Sequence, residues 1–203
     1  MAASPGSIRP GGRTMRVQSA VFDATLSVLA ELGYSGLSIE RVAERSGVNK
    51  TTIYRRWQTK DALLAAAMDT NAADVFPIPA TESIADDLRA FGRGLADFMT
   101  NDSPSVAGVQ RALFSDAAQE PLIANLKREF FARRHEAAAS MVEAAIERGE
   151  LPGDVDSREL VGLVAAQLYY RKLATGEPID HAVADRAAAT ALVAVQAGAC
   201  RRQ

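Results

Sequence analysis

The segment from Ser46 to Lys60, SGVNKTTIYRRWQTK, carries the side chains of this sequence with the clearest potential for chemistry. It combines four cations and three threonines with one tyrosine and one tryptophan. Lysine and arginine bind phosphate groups, whereas threonine and arginine also form hydrogen bonds with base edges. These residue types together indicate contact with nucleic acid.

A helix that begins after Asn49 would sort these side chains onto different faces. At about 100° per residue, Ile53 and Trp57 share one face and are expected to pack on the rest of the domain. The residues predicted to face bases are Thr51, Thr52 and Arg55, and those predicted to contact phosphates are Lys50, Tyr54, Arg56 and Lys60. Ser38, at the start of the preceding helix, completes the predicted DNA-binding set.

Two short helices and a tight turn must position this face. Ser38 is a suitable N-cap for the helix over SIERVAERS, Gly47-Val48 forms the turn, and Asn49 caps the next helix. This is the helix-turn-helix pattern, whose second helix enters the major groove. The alternative is a solvated helix whose aromatic residues merely pack. The caps and the turn favour the helix-turn-helix.

The charge distribution supports a polyanionic partner. The formal net charge is only −2, but residues 1–60 contain nine Lys/Arg and four Asp/Glu, which gives +5, and the remainder carries −7. A basic head on an acidic body is expected when one end meets nucleic acid. Chance clustering on a solvated face is the alternative explanation of this asymmetry.

The whole chain of 203 residues reads as helical. Apolar residues recur at helical spacing, and period-two alternation is missing. We predict an all-α fold of about nine helices, with an N-terminal three-helix helix-turn-helix DNA-binding domain and a C-terminal helical bundle. The predicted divisions are a disordered arm over 1–14, a DNA-binding domain over 15–62, and a ligand-binding and dimerisation domain over 63–203.

Residues 16–68 resemble the DNA-binding domain of the tetracycline-repressor (TetR) family of bacterial transcriptional regulators. The resemblance is carried by LAELGYSGLS followed by IERVAERSGVNKTTIYRRWQTKDALL. Trp57 stands where phenylalanine is usual, and Arg41 stands where a capping-box acid is common. The single cysteine, Cys200, cannot form an internal disulfide, which predicts a cytoplasmic protein. The resemblance implies a homodimer, formed through the last two helices, that binds an operator. It also implies a cavity whose small-molecule ligand usually releases DNA from such regulators.

The central helices supply candidate residues for that cavity. They are Phe98, Met99, Val109, Leu113, Phe114, Phe131, Met141, Tyr169 and Tyr170. Each is individually more often plain core. The two tyrosines are the better candidates, because a hydroxyl in a helical core needs a polar partner. The apolar character of the set predicts a lipophilic effector.

The last helices carry a stripe of small and apolar residues that we interpret as the dimer interface. Its members are Leu168, Val183, Ala187, Ala191, Leu192 and Val195. Ordinary packing within one chain is the alternative, because such stripes are common in buried helices. A dimer would place two recognition helices on a palindrome, about 34 Å apart.

The sequence gives little support for an enzyme. His135 and His181 belong to no metal-binding spacing, and we find neither a G-x-S-x-G nor a phosphate-binding loop. We expect His135 to be a surface residue, and we predict no catalytic residue, metal or cofactor. An apolar run of membrane-spanning length and a secretory signal are also missing. The remaining alternatives are a helical interaction protein and an architectural DNA binder without ligand control.

Overall fold

The computed structural model describes residues 11–114 and 121–202, and in those parts the chain is almost entirely helical. The α-helices are α1 (Gly11–Gly36), α2 (Ile39–Ser46), α3 (Lys50–Trp57), α4 (Lys60–Val75), α5 (Ile84–Thr100), α6 (Pro104–Phe114), α7 (Pro121–Glu147), α8 (Ser157–Tyr170) and α9 (His181–Gln196). A π-helical turn, Arg171–Thr175, follows α8. Among these residues the sole β-type pairing is an isolated bridge between Val155 and Arg201. The all-α prediction is confirmed.

Helix boundaries differ from the expected ones in a few places. The first helix is interrupted at Gly33, where φ is 68°, as the sequence predicted, and the helical segment resumes beyond this kink and ends at Gly36. Of the arm predicted to be disordered, residues 11–14 form the first turn of α1, and 1–10 lie outside the described residues. The predicted end of the sixth helix, 115–118, also lies outside them.

The described chain divides into two compact units, and the first contains more than the predicted domain 15–62. It comprises residues 11–68 together with 103–114, so α6 belongs to it. Gly108 of α6 lies so close to Leu26 of α1 that a Cβ would overlap the Leu26 carbonyl oxygen. Arg111 of α6 also donates a hydrogen bond to the Ala30 carbonyl oxygen at 2.5 Å. The predicted boundary missed α6 because this packing joins segments that are some 80 residues apart in sequence.

The second unit comprises residues 69–102 and 121–202. Its centre is formed by α5, α8 and α9, and α7 packs mainly on α8. Gly92 of α5 faces the backbone carbonyl of Ala184 in α9, where a Cβ would stand 3.1 Å from the oxygen. Glycine and alanine therefore let these two helices approach closely.

This close packing corrects the predicted dimer stripe. Five of its six members are buried inside the single chain, namely Leu168, Val183, Ala187, Ala191 and Val195, while Leu192 is half-buried. Side chains covered by their own chain cannot also form the surface that meets a second copy. The stripe therefore reflects packing within one chain, because a buried helix shows the same periodicity whichever partner covers it.

Candidate nucleic-acid interface

The recognition helix α3 is fastened to the first unit by the two residues whose spacing predicted it. The Ile53 side chain is 0% exposed, and the Trp57 ring packs against Phe22 of α1 with ring centroids 5.4 Å apart. Burial of an isoleucine and most of a tryptophan contributes about 2–3 kcal/mol for each side chain. These two anchors fix which side of α3 faces outward.

The turn before α3 is built from local hydrogen bonds. Gly47 adopts the left-handed conformation, with φ 68° and ψ 11°, which a side chain would strain. The Ser46 hydroxyl accepts a hydrogen bond from the Val48 amide at 3.3 Å. The Asn49 side chain accepts one from the Thr51 amide at 2.9 Å and so caps α3. The sequence-predicted turn and cap are both present.

The outward side of α3 presents the predicted contact residues to solvent. The exposed members are Lys50, Thr51, Thr52, Tyr54, Arg55 and Arg56. Of these, Thr52, Arg55 and Arg56 line a groove shared with Thr14 and Val17 of α1. Hydroxyl groups and cations on one exposed helical face can meet base edges and phosphates together. No described carboxylate lies within ion-pair distance of the three cations.

Glu40 adds a carboxylate to this face that the sequence pattern did not reveal as part of it. The Tyr54 hydroxyl donates a hydrogen bond to Glu40 Oε1 across the turn at 3.3 Å. The Glu40 charge raises the pKa of Tyr54, and backbone hydrogen bonding, with help from Tyr54 and Lys50, lowers the pKa of Glu40. Tyr54 has one hydroxyl hydrogen, so it cannot donate to Glu40 and to a phosphate at the same time.

Arg56 and Lys60 both have partners within the protein. Arg56 donates to Gln18 Oε1 at 2.6 Å, and its guanidinium carbon lies 5.1 Å from the Trp57 ring centroid. Lys60 Nζ lies 4.0 Å from the Tyr34 ring centroid and 3.4 Å from the Tyr34 carbonyl oxygen. These contacts explain a cation at the start of α4, where the helix dipole alone disfavours it.

The second helix of the motif is fixed by its own cap and by two arginines. The Ser38 hydroxyl accepts a hydrogen bond from the Arg41 amide at 3.3 Å, so its cap role is present. Arg41 also donates to the Gly36 carbonyl oxygen at 2.7 Å. Arg45 forms a bidentate pair with Glu31 of α1, with both distances 2.6 Å. Two cations of the basic N-terminal segment therefore hold α2 in place.

Comparisons with known proteins agree with this geometry. The profile described as "Bacterial regulatory proteins, tetR family" matches residues 21–67, and "Tetracyclin repressor-like, C-terminal domain" matches residues 78–191. The chain belongs to the TetR family of bacterial transcriptional regulators. It is therefore a helix-turn-helix regulator, and residues 21–67 include the whole of α2 and α3.

Individual TetR-family relatives match most of the chain. The regulator AqdR of Rhodococcus erythropolis is 33% identical over 82% of this chain and 80% of its own length. A protein described as "DNA-binding transcriptional repressor TetR" from Mycobacteroides abscessus is 31% identical over 83% of this chain and 87% of its own. The crystal structure of the TetR-family regulator SCO0332 superposes with a TM-score of 0.69 at 30% identity, and covers 89% of this chain and 98% of that one.

The residues predicted to line a ligand cavity fall in both units. Val109, Leu113 and Phe114 belong to α6 of the first unit, whereas Phe98, Met99, Phe131, Met141, Tyr169 and Tyr170 belong to the second. Tyr169 is half-buried, and its ring meets Phe131 edge to face with centroids 6.0 Å apart. Tyr170 is 64% exposed, so it lies outside the core and its prediction as a lining residue is corrected. Because Tyr170 follows Tyr169 directly in a helix, its side chain points about 100° away from that of Tyr169.

The two histidines lie on different helices of the second unit, His135 on α7 and His181 on α9. His181 Nε2 lies 2.7 Å from Asp97 Oδ1 on the surface. His135 is half-buried beside Phe131, rather than on the surface as expected, and burial lowers its pKa. Within 11–114 and 121–202 no three metal-ligating side chains cluster. Among these residues no helix is both long and apolar enough to span a membrane.

Proposed function

We propose that this TetR-family regulator is a repressor that binds a palindromic operator as a homodimer and is released by a small-molecule effector. The observation that carries the proposal is the outward face of α3, where threonine hydroxyls lie beside cations that form no ion pair with any described residue, on an exposed, well-anchored helix. Cations on such a face can bind phosphates, and hydroxyl groups can form hydrogen bonds with base edges. DNA offers its phosphates and the base edges of its major groove together. The similar protein described as a DNA-binding transcriptional repressor supports repression, rather than activation, of transcription.

The contact residues divide into two roles in this proposal. Thr51, Thr52 and Arg55 read bases, because Thr51 and Arg55 lie on the side of α3 opposite Ile53, with Thr52 beside them. The phosphate contacts are Lys50, Tyr54, Arg56 and Lys60, with Ser38 at the start of α2. Lys60 has the weakest support of these, because its ammonium group already contacts Tyr34.

The second copy docks on the exposed sides of α8 and α9. On α8, Leu163, Ala166 and Tyr170 are exposed at spacings of three and four, and on α9 so are Ala189 and Val193. Tyr170 and Val193 are 64% and 66% exposed, which is unusual for large apolar side chains on a soluble helix. Two neighbouring helices with such stripes form a four-helix interface when a two-fold axis relates them.

Competition binding to DNA tests this proposal. Fluorescently labelled DNA from the regions flanking the protein's own gene is titrated with the full chain at moderate salt, and unlabelled random DNA competes. We expect one fragment to bind at least about 1,000-fold more tightly than random DNA. If every fragment is displaced as easily as random DNA, sequence-specific repression is wrong.

A further inference from the structure

Two neighbouring arginines of α7 stand in opposite environments. Arg133 is exposed and pairs with Asp69 at 2.9 Å and with Glu129 at 3.7 Å. Arg134 is half-buried, and its guanidinium carbon lies 4.6 Å from the Phe76 ring centroid. One of its nitrogens donates to the Phe76 carbonyl oxygen at 2.6 Å. Adjacent residues of the same type thus provide a natural comparison.

The charge of Arg134 is not balanced by a neighbouring anion. No carboxylate of the described residues lies within 4 Å of its guanidinium group, and Asp69, whose charge acts on it, pairs directly with Arg133. Burial lowers the pKa of Arg134, because it disfavours the charged form. A guanidinium carries five N–H donors, and the hydrogen bond to Phe76 uses one of them. A half-buried charge in this state is costly without a partner.

The surroundings of Arg134 are aromatic. Phe76 packs against Phe91 with ring centroids 5.0 Å apart, and the Phe131 ring contacts both Phe130 and Tyr169. Burial raises the pKa of Tyr169, and the charge of Arg134 opposes that rise, so the two side chains act on each other. Such a setting would suit a flat apolar molecule that carries one negative group.

We propose that Arg134 is the anion-binding group of the effector site and that the effector is an aromatic carboxylic acid. Its carboxylate pairs with Arg134, and its ring packs among Phe76, Phe131 and Tyr169. The inference rests on the proposed function, which supplies the effector site, and it narrows the expected lipophilic ligand to an acid. A neutral lipophile would leave Arg134 without a counter-charge.

Direct binding of matched probes tests this assignment without DNA. The full chain is titrated calorimetrically with 2-naphthoate and with 2-naphthamide, which have similar shapes and differ in charge. We expect the acid to bind at least about tenfold more tightly than the amide, because hydrogen bonds to charged groups are the strong ones. Arg134→Gln should abolish that preference, Arg134→Lys should keep part of it, and Arg133→Gln should keep all of it.

Three results would overturn the assignment. They are equal binding of acid and amide, an acid preference that survives in folded Arg134→Gln, and no saturable binding of the acid up to about 1 mM. Circular dichroism and melting establish whether Arg134→Gln folds. If Arg134→Gln does not fold, the binding of acid and amide by the wild type and by Arg134→Lys still tests the assignment. An arginine with a purely structural role would give the wild type no preference for the acid. DNA competition with the same samples separates failure of this inference from failure of the repressor proposal.

Discussion

Ion pairing of cationic side chains differs between the second unit and α3 of the first unit. In the second unit, six arginines form ion pairs with carboxylates, namely Arg89, Arg93, Arg133, Arg148, Arg171 and Arg201. On α3 of the first unit, Lys50, Arg55 and Arg56 are exposed and form no ion pair with any described residue. Cations that form ion pairs with the chain's own acids help to hold its structure. Cations that are grouped on one exposed face and form no ion pair remain available to an external anion.

The same contrast applies to hydrophobic faces. The side of α9 that contacts α5 is made of alanine and valine that the chain buries itself. On the opposite side of α9 Val193 is exposed, and on α8 Leu163 and Tyr170 are also exposed. Each unit therefore has one surface buried within the chain and one exposed surface. We propose that the exposed surface binds DNA in the first unit and a second copy in the second.

The largest expected effect follows from the packing of α6 within the first unit. Gly108→Val should destabilise this unit by about 3 kcal/mol, because the added side chain overlaps the Leu26 backbone, which cannot rotate away. Urea denaturation followed by circular dichroism measures the change. Gly162→Ala is the matched control, since its Cβ meets no atom within 4 Å. Equal stability of Gly108→Val and wild type would show that α6 does not belong to this unit.

The next effect concerns the exposed side of α9. Ala189→Glu should weaken self-association about 100-fold, because a two-fold axis would bring like charges into the interface. Ala137→Glu, at an exposed alanine of α7, should leave association unchanged. Sedimentation velocity over a range of micromolar concentrations measures both. A wild-type protein that is monomeric throughout, or an Ala189→Glu dimer as tight as wild type, contradicts the second-copy surface.

Replacing one cation from each unit tests the charge comparison directly. Arg55→Ala should weaken binding to the preferred DNA about tenfold or more, because a base contact by arginine is lost. Arg93→Ala removes a side chain that is paired with Asp185 and should leave DNA affinity unchanged. Fluorescence anisotropy at fixed salt measures both variants. If both variants lose a similar amount of DNA affinity, ion pairing within the chain does not distinguish the cations that bind DNA from those that do not.

The smallest effect, a gain, is expected at Glu40. Glu40→Gln should raise affinity for all DNA sequences severalfold, because it removes a negative charge from the binding face and weakens the hydrogen bond that holds the Tyr54 hydroxyl away from a phosphate. Glu44→Gln, at another exposed glutamate of α2, serves as the control. Binding to random DNA at several salt concentrations measures the gain. A loss of affinity would instead assign Glu40 a direct contact with a base.

Local patterns predicted the recognition helix well, whereas contacts distant in sequence escaped prediction. The cap at Asn49, the turn at Gly47 and the anchors Ile53 and Trp57 all depend on residues within one or two helical turns. The Tyr54–Glu40 hydrogen bond crosses the motif and was missed, because a glutamate in a first helical turn has a sufficient local explanation in the helix dipole.

The second unit was predicted less fully, for the same physical reason. A stripe of small residues shows that a helix face is buried but does not identify the helix that covers it, so the face of α9 that packs within the chain was assigned to the dimer interface. Arg134 was not distinguished from Arg133, because a difference of one position decides which side of α7 faces the interior. Burial of a single arginine depends on neighbours from other helices, which spacing along one helix does not reveal.

The most direct test of the account is the base preference of α3. Once a preferred DNA fragment is found, every base pair of its half-site is varied, and binding of wild type and of Thr51→Ala is compared. We predict that the wild type discriminates between base pairs at one position of each half-site, whereas Thr51→Ala does not. The wild type should lose about 1–3 kcal/mol of binding free energy when that base pair is changed. Thr51→Ala binding to every variant as wild type does would contradict the assignment of this face to base recognition.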